Sequence, residues 1–308
     1  MKLKKMIIMG LVLTTSVISI ACSSNEGKEG TQKEETDLKI GLMPAVDTAP
    51  ILIAEKNGYF KELGIDVDVE IYTNAQNRQS ALQSNSIDGA MTDFIALATN
   101  VNGGFDIKAT TMTDGVFPVL SNKGSKDKKD IKVGMMEVSV SNYLIDKWLG
   151  DDYNIEKVFI NEIPARLTAI GSGELDMGLF PEPVASNGEI QGLEKTVYGL
   201  DDEYSPDCMV FTEKSITEKP TTIKKFHEAY NKAVEDINNN PQIAKDALME
   251  KIPNIDPQAE ELIVLPKYKK AALPSEQYIE EIIKWTEDTL KKSIDIQAEE
   301  LLDREFAK

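Results

Sequence analysis

From Leu38 onward the chain alternates strand-like and helix-like segments, and this alternation restricts its fold more than any other feature. Leu38, Ile40 and Leu42 alternate with polar or glycine positions, the pattern of a half-buried strand. A short helix over 50–57 closes at Gly58, and Val67, Val69 and Ile71 give a second strand. Helices over 77–84 and 93–101 alternate with strands over 87–91 and 107–111. Strand after helix after strand predicts an α/β domain with a mainly parallel sheet. A second set follows the polar loop 122–130, with strands over 131–135, 157–160 and 177–180 and helices over 140–149 and 165–171. This duplication reads as one of architecture, without a sequence repeat. In the tail, Ile223, Phe226, Tyr230, Ala233, Val234 and Ile237 fall at helical spacing and form one apolar stripe, the mark of core packing.

Composition narrows the function. The 308 residues make one large domain or two ordinary ones, and 41% are apolar, enough for a sizeable core. Acids outnumber bases 52 to 34, for a formal charge of −18. That surplus argues against nucleic acid as a partner, since phosphate binding needs a dense basic face. It equally disfavours docking of the body on anionic lipid. Two cysteines, Cys22 and Cys208, exclude a disulfide scaffold and a cysteine-rich zinc site. A single histidine, His227, excludes a histidine metal cluster and weakens acid–base catalysis; it sits beside the tail's apolar stripe, as a structural histidine would. No cofactor or metal is expected.

The N-terminus points outside the cytoplasm. Lys2, Lys4 and Lys5 precede an apolar run from Met6 to Ala21, short for a bilayer span and right for a signal peptide over 1–21. Ile18-Ser19-Ile20-Ala21-Cys22 resembles a bacterial lipobox, with Ser19 departing from the usual aliphatic residue. The resemblance implies that Cys22 carries lipid. Residues 22–37 are then the lipidated cysteine and a flexible tether, rich in Ser, Gly, Glu and Lys.

Longer stretches carry a family resemblance. Gly58-Tyr59-Phe60-Lys61-Glu62-Leu63-Gly64-Ile65-Asp66-Val67 is the most specific, with Ile87-Asp88-Gly89-Ala90, Gly173-Glu174-Leu175-Asp176 and Phe180-Pro181-Glu182-Pro183 beside it. The chain from Leu38 to Ile252 resembles the solute-binding proteins of ATP-driven (ABC) importers for nitrate, taurine, alkanesulfonates and thiamine-precursor pyrimidines. The resemblance implies an α/β, two-lobed periplasmic-binding-protein-like fold of type II, with the ligand cleft between lobes. Lobe 1 is then 38–115 and 212–308, and lobe 2 is 116–211, with crossings near 113–118 and 205–211. It also implies a binding protein rather than an enzyme, with an ABC permease as partner. Two other readings stay open: a surface adhesin or sensor lipoprotein of the same fold, and an enzyme of the pyrimidine-synthase-like group.

In such a fold ligand sits outside the carboxyl ends of strands, where helix N-termini present backbone N–H groups. The loops so placed nominate Asp47, Thr48, Asn74, Gln76, Thr92, Asp93, Asp114, Glu137, Ser139, Ser141, Arg166 and Glu182 as ligand-binding residues. Thr48, Asp93, Ser139 and Ser141 are also good helix caps, which alone explains their type. Arg166 stands against five acids on these loops, with pairing to Glu162 as its alternative. The acids favour an amino-bearing or nitrogenous small molecule; Arg166 with the two serines leaves a sulfonate-type anion as the second choice.

Overall fold

The computed structural model describes residues 35–307; the expected signal peptide, Cys22 and most of the expected tether lie outside the described residues. Among the described residues ten strands form two sheets. The first contains β1 (Asp37–Leu42), β2 (Asp66–Ile71), β3 (Gly89–Asp93), β4 (Ile107–Thr113) and β10 (Asp207–Thr212). The second contains β5 (Val119–Ser121), β6 (Asp130–Met135), β7 (Asn154–Phe159), β8 (Met177–Leu179) and β9 (Glu194–Thr196). Their orders are β2-β1-β3-β10-β4 and β7-β6-β8-β5-β9. In each, three parallel strands meet an antiparallel strand that arrives from elsewhere in the chain: β10 beside β3, and β5 beside β8. The return to the first sheet, expected over 205–211, is already made at Asp207, because β10 pairs with β3 and β4 from that residue on. The tether is also shorter than expected at its end. Thr36 O accepts Asp66 N–H, Lys219 reaches Glu35, and Asp37 is already in β1.

The two sheets carry a sequence repeat that the sequence reading missed. Asp37-Leu38-Lys39-Ile40-Gly41-Leu42-Met43 spans β1 and Asp130-Ile131-Lys132-Val133-Gly134-Met135-Met136 spans β6, at matching places in the two sheets. Asp88 and Asp176 each accept the backbone N–H of the lysine in that strand, at 2.9 Å from Lys39 and 2.8 Å from Lys132. Both aspartates follow a helix, Ala75–Gln83 or Ile163–Gly171, and the spacing from Arg78 to Asp88 equals that from Arg166 to Asp176.

Closing helices complete the first half. The tail stripe expected from periodicity lies on the helix Pro220–Asn239 and is almost wholly buried. Phe226 stacks on Phe60 at 5.5 Å between ring centroids, which fixes the Gly58–Leu63 stretch against this helix. His227 is buried there too, its Nε2 within 2.9 Å of Thr110 Oγ1. Beyond Ile252 the chain also packs on the second half. Asp256 N–H donates to Asn187, and Lys195 Nζ donates to Leu262 O at 2.7 Å. Among the described residues no helix is long and apolar enough to cross a membrane.

Candidate functional site

A cavity of about 260 Å³ opens between the carboxyl ends of the two sets of parallel strands. It is smaller than the roughly 300–1,000 Å³ of sites for drug-sized molecules, so it suits a small solute. Eight of the nominated residues line it: Asp47, Gln76, Thr92, Asp93, Glu137, Ser139, Ser141 and Arg166. Sequence reasoning missed two ionic residues that join them, Arg78 and Asp207.

The wall from the first half is acidic around one arginine. Asp93 ends β3 and caps the helix Phe94–Asn102, accepting Ala96 N–H at 2.8 Å. Arg78, on the second turn of its helix, donates to Thr92 Oγ1 at 2.9 Å and lies in the field of Asp93, Asp207 and Asp47. Asp47 accepts Thr113 Oγ1 at 3.1 Å. Burial pushes its carboxyl up to about 6, against the lowering effect of that hydroxyl. Burial also raises Asp93, opposed by the N–H groups of Ala96 and Val140 and by Arg78. Asp207 is raised well above the usual carboxylate range, first by burial and then by Asp47 and Asp93. Three carboxyls thus surround one guanidinium.

The wall from the second half is built differently from the same repeat. Ser139 caps the helix Val140–Leu149, accepting Ser141 N–H at 3.1 Å, and the two hydroxyls lie 2.6 Å apart. Ser141 Oγ also accepts Met136 N–H at 2.9 Å, so both hydroxyls are fixed. Arg166 is 1% exposed. It donates to Ile160 O at 2.8 Å, its guanidinium lies 5.1 Å over the Phe180 ring, and among the described residues its Nε has no hydrogen-bond partner. Burial pulls it down to about 10. The surface pairing with Glu162 held open above does not occur, because the side chain turns inward over β6. Gly134 makes room for it, since a Cβ there would lie 3.0 Å from Arg166 Cγ and 2.5 Å from Leu175 Cδ1. Gly41 does the same for Arg78, at 3.2 Å from its Cγ.

Four nominated residues do not line the cavity. Thr48 is fully buried and its hydroxyl donates back to Ala45 O at 2.7 Å, so it neither caps the next helix nor faces solute. Asn74 caps its own helix, accepting Gln76 N–H at 2.7 Å, and its amide donates across the mouth of the cleft to Glu162. Asp114 accepts Lys269 N–H at 2.7 Å and borders a separate cavity of about 290 Å³. Glu182 is fully buried, with one oxygen on Lys195 Nζ at 3.0 Å and the other on Ser186. Its lone pairs are used within the fold. Among the described residues no group of three or more His, Cys, Asp and Glu side chains is arranged to hold a metal ion.

Two sheets of this order around a cleft define a periplasmic-binding-protein fold, and solved structures share it. The ligand-binding component of an ABC-type import system from Staphylococcus aureus, with zinc bound, superposes with a TM-score of 0.71 at 15% identity, over 89% of this chain and 98% of that one. The alkanesulfonate-binding protein SsuA from Xanthomonas axonopodis pv. citri, bound to MOPS, gives 0.66 at 16% identity, over 84% and 92%. The periplasmic nitrate-binding protein NrtA from Synechocystis PCC 6803 gives 0.61 at 17%, over 71% and 66%. The chain belongs to the NMT1/THI5-like family, whose model matches residues 45–244. A relative at sequence level is YtlA of Bacillus subtilis (strain 168), a candidate binding protein, 28% identical over 265 residues and 78% of each chain.

Proposed function

We propose that this protein is an extracytoplasmic solute-binding lipoprotein that captures a small organic solute by hinge closure and delivers it to an ABC importer. The cleft carries the reading: it has one wall from each sheet, buried ionic groups on both, and a mouth spanned by the contact of Asn74 with Glu162. Family membership and the import-system neighbours support it. Binding alone suffices as mechanism: the fixed hydroxyls and buried charges are arranged to hold a solute, and the site needs no covalent chemistry. Closure would bring the walls together and present a joint surface to a permease. Cys22, behind an export segment, would anchor the body at the membrane.

Small-angle scattering tests the capture step, using solute identified by native mass spectrometry of freshly purified protein. The radius of gyration should fall at saturation; an unchanged profile would leave a static pocket. Cys22→Ser should release the protein into the soluble extracellular fraction, and a variant as membrane-bound as the parent in high salt would refute the anchor.

A further inference from the structure

The first half of the molecule also reaches the second beside the cleft. The helix Glu276–Leu290 packs on the helix Phe94–Asn102, and its Ile279 and Ile282 share one apolar cluster with Phe94 and with Tyr143 and Leu144 of the second half. Trp285, on the same helix, adds a polar end to that contact. Its ring meets Tyr143 edge-on at 5.3 Å between centroids, and its Nε1–H donates to Asp146 Oδ2 at 3.1 Å. Both partners stand on the helix Val140–Leu149, whose first turn brings Ser141 to the cavity beside its cap, Ser139.

From Asp146 the bonds run back to the cleft. The same Oδ2 accepts Lys157 Nζ at 2.7 Å, Lys157 Nζ also donates to Asn142 Oδ1 at 2.8 Å, and Asn142 Nδ2 donates to Glu137 O at 2.8 Å. Each bond fixes the next. An indole N–H and an ammonium can only donate, so the carboxylate must stand between them. The ammonium at Asn142 Oδ1 then turns the amide nitrogen toward Glu137 O. Asn142 is fully buried, so its polar atoms need partners within the protein. Glu137 and Val138 are exposed at the lip, so the loop has little burial of its own to hold it.

Resting on the solute-capture reading, we infer that Trp285 is a positioning residue for the cleft: from the first half it acts through Asp146, Lys157 and Asn142 to fix the loop 137–141 of the second. Closing the halves and ordering this loop are then one event. When the halves part, Asp146 loses its indole donor and the loop loses an anchor. A solute that needs Ser139 and Ser141 in place therefore favours the closed state without touching Trp285.

Hydrogen exchange of the full, solute-free chain tests this, read in the peptide 136–143. There Met136 N–H donates to Ser141 Oγ, Ser141 N–H to Ser139 Oγ and Asn142 N–H to Ser139 O, so exchange reports whether the loop keeps its shape. Trp285→Phe keeps a ring against Tyr143 and removes the N–H. It should speed exchange in this peptide about fivefold, the worth of one hydrogen bond, and leave β1, β3 and the helix Pro220–Asn239 as in the parent. Asp146→Asn cuts the same chain at its next link and should act likewise. The double variant should go no further than the faster single, since both changes cut one chain. Unchanged exchange over 136–143 in Trp285→Phe overturns the inference. So does acceleration spread evenly through the molecule, which would mark a tryptophan that only stabilises the fold. Additive effects in the double variant overturn it too, because they would mean two independent supports. A local effect on exchange, together with a radius of gyration unchanged at solute saturation, would instead sink hinge capture and leave Trp285 holding the loop of a static pocket.

Discussion

Arg166 illustrates what a buried charge costs a protein. A guanidinium buried without an acid is destabilising, and replacing buried ionic groups with well-packed apolar ones often stabilises. Arg166→Met should therefore raise the melting temperature of ligand-free protein, by about 1 kcal/mol of stability or more, while abolishing stabilisation by an anionic solute. A lower melting temperature in that variant would mean that the bond to Ile160 O and the Phe180 contact outweigh desolvation. His227 makes a separate prediction. Burial pulls its ring from 6.5 to about 3, so between those values the unfolded chain binds the proton and the folded one does not. Its contribution is complete above about pH 6.5 and is lost as pH falls toward 3, at about 1.4 kcal/mol per pH unit at the steepest. Asp47 acts in the opposite sense, since its folded carboxyl holds a proton up to about 6 and its unfolded one only to 3.8. Urea titrations from pH 7 to 4 should show a smaller loss in His227→Gln than in the parent; parallel curves would contradict this. Residues of this kind were unevenly legible. Asp93 and Ser139 could be nominated because a capping residue after a strand marks a loop facing the cleft. Arg78 could not, because an arginine in mid-helix normally reads as solvated. The spacing it shares with Arg166 was the signal that would have found it.

Among the elements, the two helices bearing these arginines are placed by glycines. At Gly134 a side chain would meet Leu175 and Arg166, so the helix Ile163–Gly171 can lie close over β6 only because that strand lacks a Cβ there. Gly134→Ala should cost about 1–3 kcal/mol by overpacking and weaken solute binding by shifting Arg166; unfolding curves and titrations measured together would show both. Normal affinity in a destabilised variant would separate the helix's packing from the site. The tail helix makes a plainer case. Phe226→Ala removes a ring buried against Phe60 and Phe211 and should cost about 3–5 kcal/mol. This helix was readable from periodicity because it has one buried face and twenty residues to show it. β5 and β9 were not, since three residues each give no period to read. β10 was missed because its pairing with β3 and β4 is fixed by contacts far along the chain.

The two halves of the molecule are joined by more than the two crossings that the sequence suggested. The stretch between Ile252 and the helix Glu276–Leu290 belongs to the tail yet is tied to the second half. Lys195, 6% exposed, holds Glu182, Glu189 and Leu262 O together, and Glu182 also accepts Val264 N–H. Removing the ammonium would leave buried carboxylate uncompensated, so Lys195→Met should cost about 3–5 kcal/mol. A loss below 1 kcal/mol in denaturant titration would show that water replaces it. The alternation of strands and helices made the two halves visible in the sequence. This third connection was not, since it has little regular structure and its contacts are set by one lysine.

That third strand of chain changes what the free protein can do while it waits. Two bodies joined by two strands can swing through a wide range of angles, and each angle that cannot hold solute lowers the apparent affinity by its share of the population. Under the proposed capture by hinge closure, a strap fastened to both bodies through a buried ammonium would remove the widest of those angles. The unoccupied protein would then sample fewer geometries, and less orientational freedom would be given up at the moment of capture.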